Sequence, residues 1–559
     1  MTETVKPLLD SNIFLYAANR DSLFYKEAMG VIETYIRSGF YLTDLNLIEF
    51  YQVVTDGRKT KNPFEPAVAL DYILKLIQVS NIQVIQASSF GNIICDSRSV
   101  KDISRYAVKR YQIYDYLIAE CMRNHHITTI ITANDRDFRK FDFLEVINPF
   151  KTKHASISGN QYTTIPYGRQ SINEMDVAAV CNVLRSGYIT QGPTIPAFEA
   201  AVANYCGAQY AVAVSSGTAA LHLACLALDV GPGDVVWTSP ITFVASANCA
   251  RYCGADVDFV DIDPRTWNLS PERLEEKLIG AKAAGRLPKV VIPVHFAGQS
   301  CDMIAIQALS KEYGFRIIED ACHALGGQYK GEPIGNCRYS DIAVFSFHPV
   351  KSITTAEGGM AVTNDRFLAD RMARLRTHGI TRQPDEMNKT PDGPWHYQQI
   401  ELGFNYRMTD VQAALGTSQM KRLDEFIANR RGISDRYDRM LADLPVNTPR
   451  RHPDTKSSYH LYVIRLKLDQ IQKTHKEVFD ALRASDIGVN LHYIPVYLQP
   501  DFEKLGFEPG YCTEAEQYYG EAISLPIFPG LAETQQDRVI TMFARVIRLE
   551  FFANKLKAI

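Results

Sequence analysis

Along the first 150 residues, short apolar runs alternate with stretches whose apolar residues recur at helical spacing. Pro7 to Asp10, Tyr41 to Thr43, Ile82 to Ile85 and Thr128 to Ile131 read as strands, which predicts an α/β domain. Lys151 to Thr164 (KTKHASISGNQYTT) is polar, lacks apolar periodicity and reads as a linker. Beyond it the pattern resumes. Val212-Ala213-Val214 reads as a strand that leads through Ser215-Ser216-Gly217-Thr218 into a helical pattern from Ala219 to Leu228. Phe315 to Glu319 is an apolar run of the kind that parallel sheets bury, and it ends on Asp320. A chain of 559 residues is long enough for more than one such domain.

Chemistry enters with Lys351. It closes Ser346-Phe347-His348-Pro349-Val350-Lys351, with Glu319-Asp320-Ala321 ahead and Glu357-Gly358-Gly359 behind. Pyridoxal phosphate needs an amine to bind it covalently and an acid beside its ring nitrogen, so that the pyridinium form draws electrons from a carbanion. Lys351 and Asp320 supply those two groups, and the carboxyl end of a parallel strand is where such a sheet delivers functional groups. Backbone amides at the helix start after Ser216 would cradle the phosphate. Taken singly, a lysine in an apolar stretch usually snorkels to the surface, and a Glu-Asp pair usually caps or is solvated. In this order and in these strand and loop contexts, the parts together point to the cofactor.

From about Ile165 to the C-terminus the chain resembles the DegT/DnrJ/EryC1/StrS family of sugar-nucleotide aminotransferases. The resemblance runs through Ile165-Pro166-Tyr167-Gly168-Arg169-Gln170, Gly187-Tyr188-Ile189-Thr190-Gln191-Gly192, Ser239-Pro240-Ile241-Thr242-Phe243-Val244-Ala245 and Gly403-Phe404-Asn405-Tyr406-Arg407-Met408-Thr409-Asp410. It implies a type I pyridoxal phosphate-dependent aminotransferase fold, with a large mixed-sheet α/β domain over residues 165–425 and a small C-terminal α/β domain over 426–559. Lys351 and Asp320 would be its catalytic pair. By the same resemblance Phe243 stacks on the cofactor ring, Asp320 pairs with the ring nitrogen with His323 nearby, and Gly217, Thr218 and Ser346 hold the phosphate. Asn405 would reach the phosphate of a neighbouring subunit, which implies a homodimer.

Within the family, Val294 to Gln299, Asn490 to Tyr497 and Tyr518 to Pro526 are most similar to the branch serving pseudaminic acid biosynthesis. That branch moves an amino group from L-glutamate to C4 of a UDP-4-keto-6-deoxy-N-acetyl-L-hexosamine. Tyr167, Thr190, Ser216, His492 and Tyr493 match positions that contact the UDP-4-keto sugar. Relatives that aminate other nucleotide 4-keto sugars share nearly all the cofactor residues, so another such sugar is the alternative. Relatives that dehydrate carry histidine in place of the lysine, so Lys351 argues for transamination.

In the first domain Asp10, Glu49, Asp115, Asp135 and Asp137 fall near the ends of the predicted elements. Such oxygen donors can gather into a magnesium or manganese site, although most acids are solvated surface groups and spacing alone does not show convergence. Residues 1 to about 150 also resemble toxin-type PIN-domain ribonucleases, through Leu8-Leu9-Asp10-Ser11-Asn12, the helix opening at Asp115 and Ile131-Thr132-Ala133-Asn134-Asp135-Arg136-Asp137-Phe138. The resemblance implies that Asp10, Glu49, Asp115 and one acid of the last motif bind the metal. Asp137 fits its Thr-x-Asn-x-x-Asp-Phe pattern, and Asp135 competes with it. The domain is then a metal-dependent ribonuclease, or a non-catalytic module that binds RNA or an antitoxin-like protein.

Charge changes this picture little. The chain carries 60 Lys+Arg against 63 Asp+Glu, a net charge of -3, and residues 1–150 hold 17 and 18 of them, leaving -2 for the rest. No strongly basic RNA-binding surface is evident. Lys101, Arg105 and Lys109 fall at helical spacing beside Arg110, as for a backbone-tracking face or an ordinary solvated one. The 11 cysteines include no Cys-x-x-Cys pair, and Cys249 and Cys253, the nearest two, lie in an apolar helical pattern. Reduced core cysteines and a cytoplasmic location are expected. Met1 to Lys6 is polar and no run of about 20 apolar residues occurs, so neither a signal sequence nor a membrane span is expected.

Overall fold

Two units, residues 1–161 and 162–559, make up the chain. The computed structural model describes residues 6–19, 22, 24–56, 63–79, 81–86, 106, 112–150 and 164–548. The expected linker, Thr164 apart, and the basic positions Lys101, Arg105, Lys109 and Arg110 lie outside the described residues.

The first unit is built on five strands: β1 (Leu8–Leu9), β2 (Phe40–Thr43), β3 (Ile82–Ile85), β4 (Thr129–Ile131) and β5 (Glu145–Ile147). They pair in the order β3-β2-β1-β4-β5, and every pairing is parallel. The four apolar runs of the sequence become β1 to β4. The fifth strand escaped notice because it is three residues long with its two outer side chains exposed. Helices α1 (Ser11–Ala18), α2 (Asp44–Thr55), α3 (Gln112–Asn124) and α4 (Asp135–Phe138) connect or flank them. In register, Leu8 stands opposite Tyr41 and Ile130, and Leu9 opposite Ile131. That register delivers Asp10 and Thr132 side by side at the carboxyl ends of the central strands, where open parallel sheets place functional groups.

The second unit is organised by a seven-stranded sheet: β6 (Tyr210–Val214), β7 (Val235–Thr238), β8 (Asp256–Phe259), β9 (Val290–Ile292), β10 (Arg316–Asp320), β11 (Ile342–Ser346) and β12 (Gly359–Thr363). Their order is β6-β12-β11-β10-β9-β7-β8, with β12 antiparallel to both neighbours and the other pairs parallel. Successive side chains enter different cores. Val212 and Val214 join one apolar cluster while Ala213 joins another, and Val290 and Ile292 face away from Val291. A sheet covered on both faces explains why these strands read as unbroken apolar runs. The fold is thus mixed α/β, as the resemblance implied.

Towards the C-terminus a three-stranded antiparallel sheet, β13 (Val446–Asn447), β14 (Tyr462–Leu466) and β15 (Ala522–Leu525), has its own apolar core. The expected boundary at 425/426 falls inside a helix, Leu423–Leu441. Its first turns send Leu423, Phe426 and Ile427 into the large-sheet core, and its later turns send Ile433, Tyr437 and Leu441 into the C-terminal one. Ile165 also packs in the C-terminal core, because Ile165–Pro166 pairs in parallel with Ile487–Gly488.

Candidate active site

Three sheet-to-loop transitions meet at one cleft of about 600 Å³. The first follows β6. Ser216 is the N-cap of helix α5 (Gly217–Ala227), its hydroxyl oxygen accepting from the Ala219 amide, so the helix starts two residues before its apolar pattern does. Gly217 and Thr218 form its first turn and line the cleft. An added Cβ on Gly217 would come within 3.0 Å of the Ser346 Cβ and 3.2 Å of the Cys322 sulfur. One on Gly359 would press within 2.3 Å of the Ser216 carbonyl oxygen, so β12 can close against this loop only as glycine. Helix-start amides beside small side chains suit a phosphate.

The second transition ends β10 on Asp320, which is buried. Its carboxylate accepts from the Ser246 hydroxyl at 2.6 Å and from the Cys322 amide at 3.1 Å. Ser246 lies in the first turn of helix α6 (Ala245–Tyr252) and shares a 2.7 Å hydrogen bond with Thr242. The third transition, after β11, carries Lys351. Its stem is partly exposed, yet its amine lies deep enough that burial lowers its pKa from 10.5, against the smaller raising effects of Cys322 and Asp320.

Around the amine stand three imidazoles, all buried. His460 Nε2 is 3.5 Å from the Lys351 Nζ, and the rings of His460 and His323 have centroids 4.4 Å apart. His323 Nε2 lies 3.2 Å from the Tyr493 hydroxyl, and His492 Nδ1 2.8 Å from the Ser524 hydroxyl. Burial first, then the Lys351 charge, pushes His323 and His460 well below 6.5 and His492 to about 3. At neutral pH the wall is therefore made of uncharged rings.

Tyr167, Ser216, Gly217, Thr218, Phe243, Asp320, His323, Ser346, Lys351, His492 and Tyr493 all line this cleft. Thr190 and Asn405 do not. Thr190 is exposed and bridges Thr409, and Asn405 is exposed and bridges Thr377. The two motifs that hold them are locked together, since the Asp410 carboxylate accepts from the amides of Gly192 at 2.7 Å and Thr194 at 2.8 Å. Phe243 is 59 % exposed, its face open to the cleft. Sequence reasoning missed Ser246, Cys322 and His460. Ser246 sits one residue beyond a quoted motif. His460, at 109 positions from Lys351, carries no spacing that would have linked them.

In the first unit Asp10 is buried and fully engaged. Its carboxylate accepts from the Ser11 amide at 2.8 Å, Asn46 Nδ2 at 3.1 Å, Asn12 Nδ2 at 2.7 Å and the Thr132 hydroxyl at 2.6 Å. The Ser11 hydroxyl donates to Glu49 at 2.5 Å. Burial raises Asp115 to about 7, and Asp137, Asp10 and Glu49 add to that rise while Lys140 opposes it. Asp137, in the last motif, is the first of the charges that raise it. Asp135 is tied to Arg139 Nε at 2.8 Å and to Asn148 Nδ2 at 3.1 Å. The donors match a hard divalent cation in kind. Among the described residues, however, no three such side chains are placed to hold a metal ion, so no chemistry is assigned to one. Nor is any described helix long and apolar enough to cross a membrane, and the ten described cysteines are free.

The deciding observation is the sequence match over residues 170–544 to the model of the DegT/DnrJ/EryC1/StrS aminotransferase family. The chain belongs to that family. It is a pyridoxal phosphate-dependent aminotransferase carrying, over residues 8–144, a PIN domain. The spore coat polysaccharide biosynthesis protein SpsC of Bacillus subtilis is 38 % identical over 387 residues, covering 69 % of this chain and 97 % of that protein. Helicobacter pylori PseC, an aminotransferase involved in the biosynthesis of pseudoaminic acid, superposes with a TM-score of 0.63 at 29 % identity, covering 69 % of this chain and 100 % of PseC. The putative sugar aminotransferase Spr1654 from Streptococcus pneumoniae, in its PMP form, gives 0.62 at 30 %, over 69 % and 99 % of the two chains.

Proposed function

We propose that this aminotransferase moves an amino group from L-glutamate to C4 of a UDP-4-keto-6-deoxy-N-acetyl-L-hexosamine, in pseudaminic acid biosynthesis. The observation that carries the reading is a buried, pKa-lowered Lys351 amine in the same cleft as an Asp320 carboxylate fixed by two donors. Pyridoxal phosphate fits this cleft. Lys351 would bind it, Asp320 would face its ring nitrogen, Phe243 would stack on the ring, and Ser346 with the Gly217 and Thr218 amides would hold the phosphate. When bound, the cofactor supplies an electrophilic carbon for amines and a sink for electrons released beside it.

The chain's own groups do the rest. A lowered pKa keeps a larger share of Lys351 as the free amine, which can take a proton from one carbon and return it to another. Asp320, held by Ser246 and the Cys322 amide, cannot rotate away from a positively charged ring nitrogen. Tyr167, His492 and Tyr493, with Thr190 and Ser216, are proposed to hold the sugar nucleotide, and Asn405 to complete the phosphate site of a partner subunit in a homodimer. Support for the L-sugar comes from the likeness to PseC. The higher identity to SpsC supports the alternative, a different nucleotide 4-keto sugar.

The test is mass spectrometry of the full-length protein with pyridoxal phosphate, glutamate and the L-arabino and D-xylo forms of UDP-4-keto-6-deoxy-N-acetyl sugar. Amination of the L form alone is expected. Preference for the D form would move the enzyme to another glycan, and no amination of either would overturn the substrate class. For the PIN domain, two readings stand, RNA cleavage or a non-catalytic binding module. Cleavage of RNA in the presence of manganese that is lost in Asp10→Ala would establish the first, and no cleavage with any metal or RNA would leave the second.

A further inference from the structure

We propose that His460 is a positioning residue for Lys351, accepting a hydrogen bond from the lysine amine at Nε2 and thereby aiming that amine into the cleft. The inference rests on the role proposed for Lys351. Three observations carry it. The Lys351 Nζ and His460 Nε2 lie 3.5 Å apart, and that imidazole is the partner the structure gives the amine. His460 Nδ1 is buried with no hydrogen-bond partner, as is His323 Nδ1 on the neighbouring ring, so nothing competes for the orientation of either ring from behind. With Nε2 as acceptor, the His460 proton resides on Nδ1.

The third observation is Arg430, which is fully buried. Its guanidinium donates to the carbonyls of Tyr459 and His460 at 3.2 Å each, of Ile527 at 3.1 Å and of Val350 at 3.5 Å. One rigid planar cation therefore ties the backbone just before Lys351 to the backbone of His460. The two side chains meet because their main chains are fastened to a common post.

The groups whose charges bear on Lys351 or His460 are Asp320, Cys322, His323, His492 and Arg430, with Tyr493 closing the wall. A charged histidine beside a lysine would be repelled, and burial among these groups holds His460 uncharged. An uncharged acceptor stabilises the protonated amine more than the free one, so its loss lowers the lysine pKa further.

The experiment is trace acetylation of the cofactor-free full-length chain with acetic anhydride across pH, with the Lys351 peptide quantified by mass spectrometry. His460→Leu should shift the Lys351 midpoint down by about one pH unit. His460→Gln, whose amide oxygen replaces Nε2, should restore it. In the holoenzyme, kcat should fall about tenfold or more in the leucine variant with KM for the sugar within about twofold, and recover with glutamine. A wild-type midpoint and kcat in His460→Leu overturns the proposal, as does a glutamine variant as impaired as leucine. If the leucine variant does not fold, His460→Asn, which ends short of Nε2, takes its place. Transamination surviving in Lys351→Ala would instead overturn the role of the lysine, and the acetylation comparison would still report the contact.

Discussion

Ser246 and Asp320 meet across 2.6 Å, the hydroxyl at the first turn of one helix donating to the carboxylate at the end of a strand 74 positions later. The hydroxyl and the Cys322 amide together fix both carboxylate oxygens. A carboxylate held this way loses little freedom when it pairs with a charged ring nitrogen. Ser246→Ala removes one donor and leaves the other. We expect pyridoxal phosphate to bind about tenfold to a hundredfold more weakly, because a hydrogen bond to a charged group is worth about 1.5–3 kcal/mol. Absorbance titration of the apoprotein measures this, and an unchanged affinity would show that Asp320 needs no such support.

Lys351→Ala should lower transamination at least about 1,000-fold, since no neighbouring amine replaces the lost one among the residues lining the cleft. The fold should survive. Lys351 makes one side-chain hydrogen bond, to His460, and lines a cleft instead of belonging to an apolar core cluster. Circular dichroism and thermal melting check the second point. Activity near that of the wild type would sink the assignment.

How far the site was legible follows from how each residue announces itself. Lys351 and Asp320 stand in ordered motifs at the ends of apolar runs, and a parallel sheet converts that order into proximity. Gly217 was legible as a helix start, although the helix begins before its apolar pattern because capping by Ser216 is decided by a side chain, not by periodicity. His460 and Ser246 were not legible. Each reaches the site through tertiary packing, His460 through the Arg430 carbonyl cluster and Ser246 through the close approach of α6 to β10. The position 425/426 lies in a helix with two apolar sectors that serves two cores, and hydrophobic pattern alone does not show where one core ends.

Acid should loosen the second unit. His492 titrates near 3 in the folded chain against 6.5 ordinarily, so between those values the unfolded chain binds a proton that the folded one excludes. Stability from this group is whole above about 6.5 and is lost as pH falls towards 3. His323 and His460, also lowered, act in the same direction. We expect a loss of about 3 kcal/mol from His492 by pH 4. Denaturant melts followed by the fluorescence of Trp237, Trp267 and Trp395, which all lie in this unit, would show it. His492→Asn should flatten the pH slope, and an equally steep slope in that variant would remove His492 as its source.

The PIN domain should respond in the opposite sense. Asp115 is raised to about 7 from 3.8, first by burial and then by Asp137, Asp10 and Glu49. The folded unit therefore keeps a proton that the unfolded chain releases above 3.8. Stability from this group is whole below about 3.8 and is lost as pH rises through about 7, a cost of at most about 4 kcal/mol at pH 8, which solvent screening of a partly exposed carboxyl reduces. Asp115→Asn removes a charge whose neighbours are also acids, so at pH 8 the variant should be more stable than the natural chain. Asp137→Asn should act likewise by removing the largest of the like charges. Asp135→Asn should do the reverse, because it breaks the bond from Arg139 and weakens that from Asn148. Hydrogen exchange at peptides covering residues 112–147, corrected for intrinsic rates, reads all three variants. Slower exchange in Asp115→Asn and Asp137→Asn with faster exchange in Asp135→Asn is the expected pattern. Equal destabilisation by all three would mean that the acids are held by partners and do not repel one another.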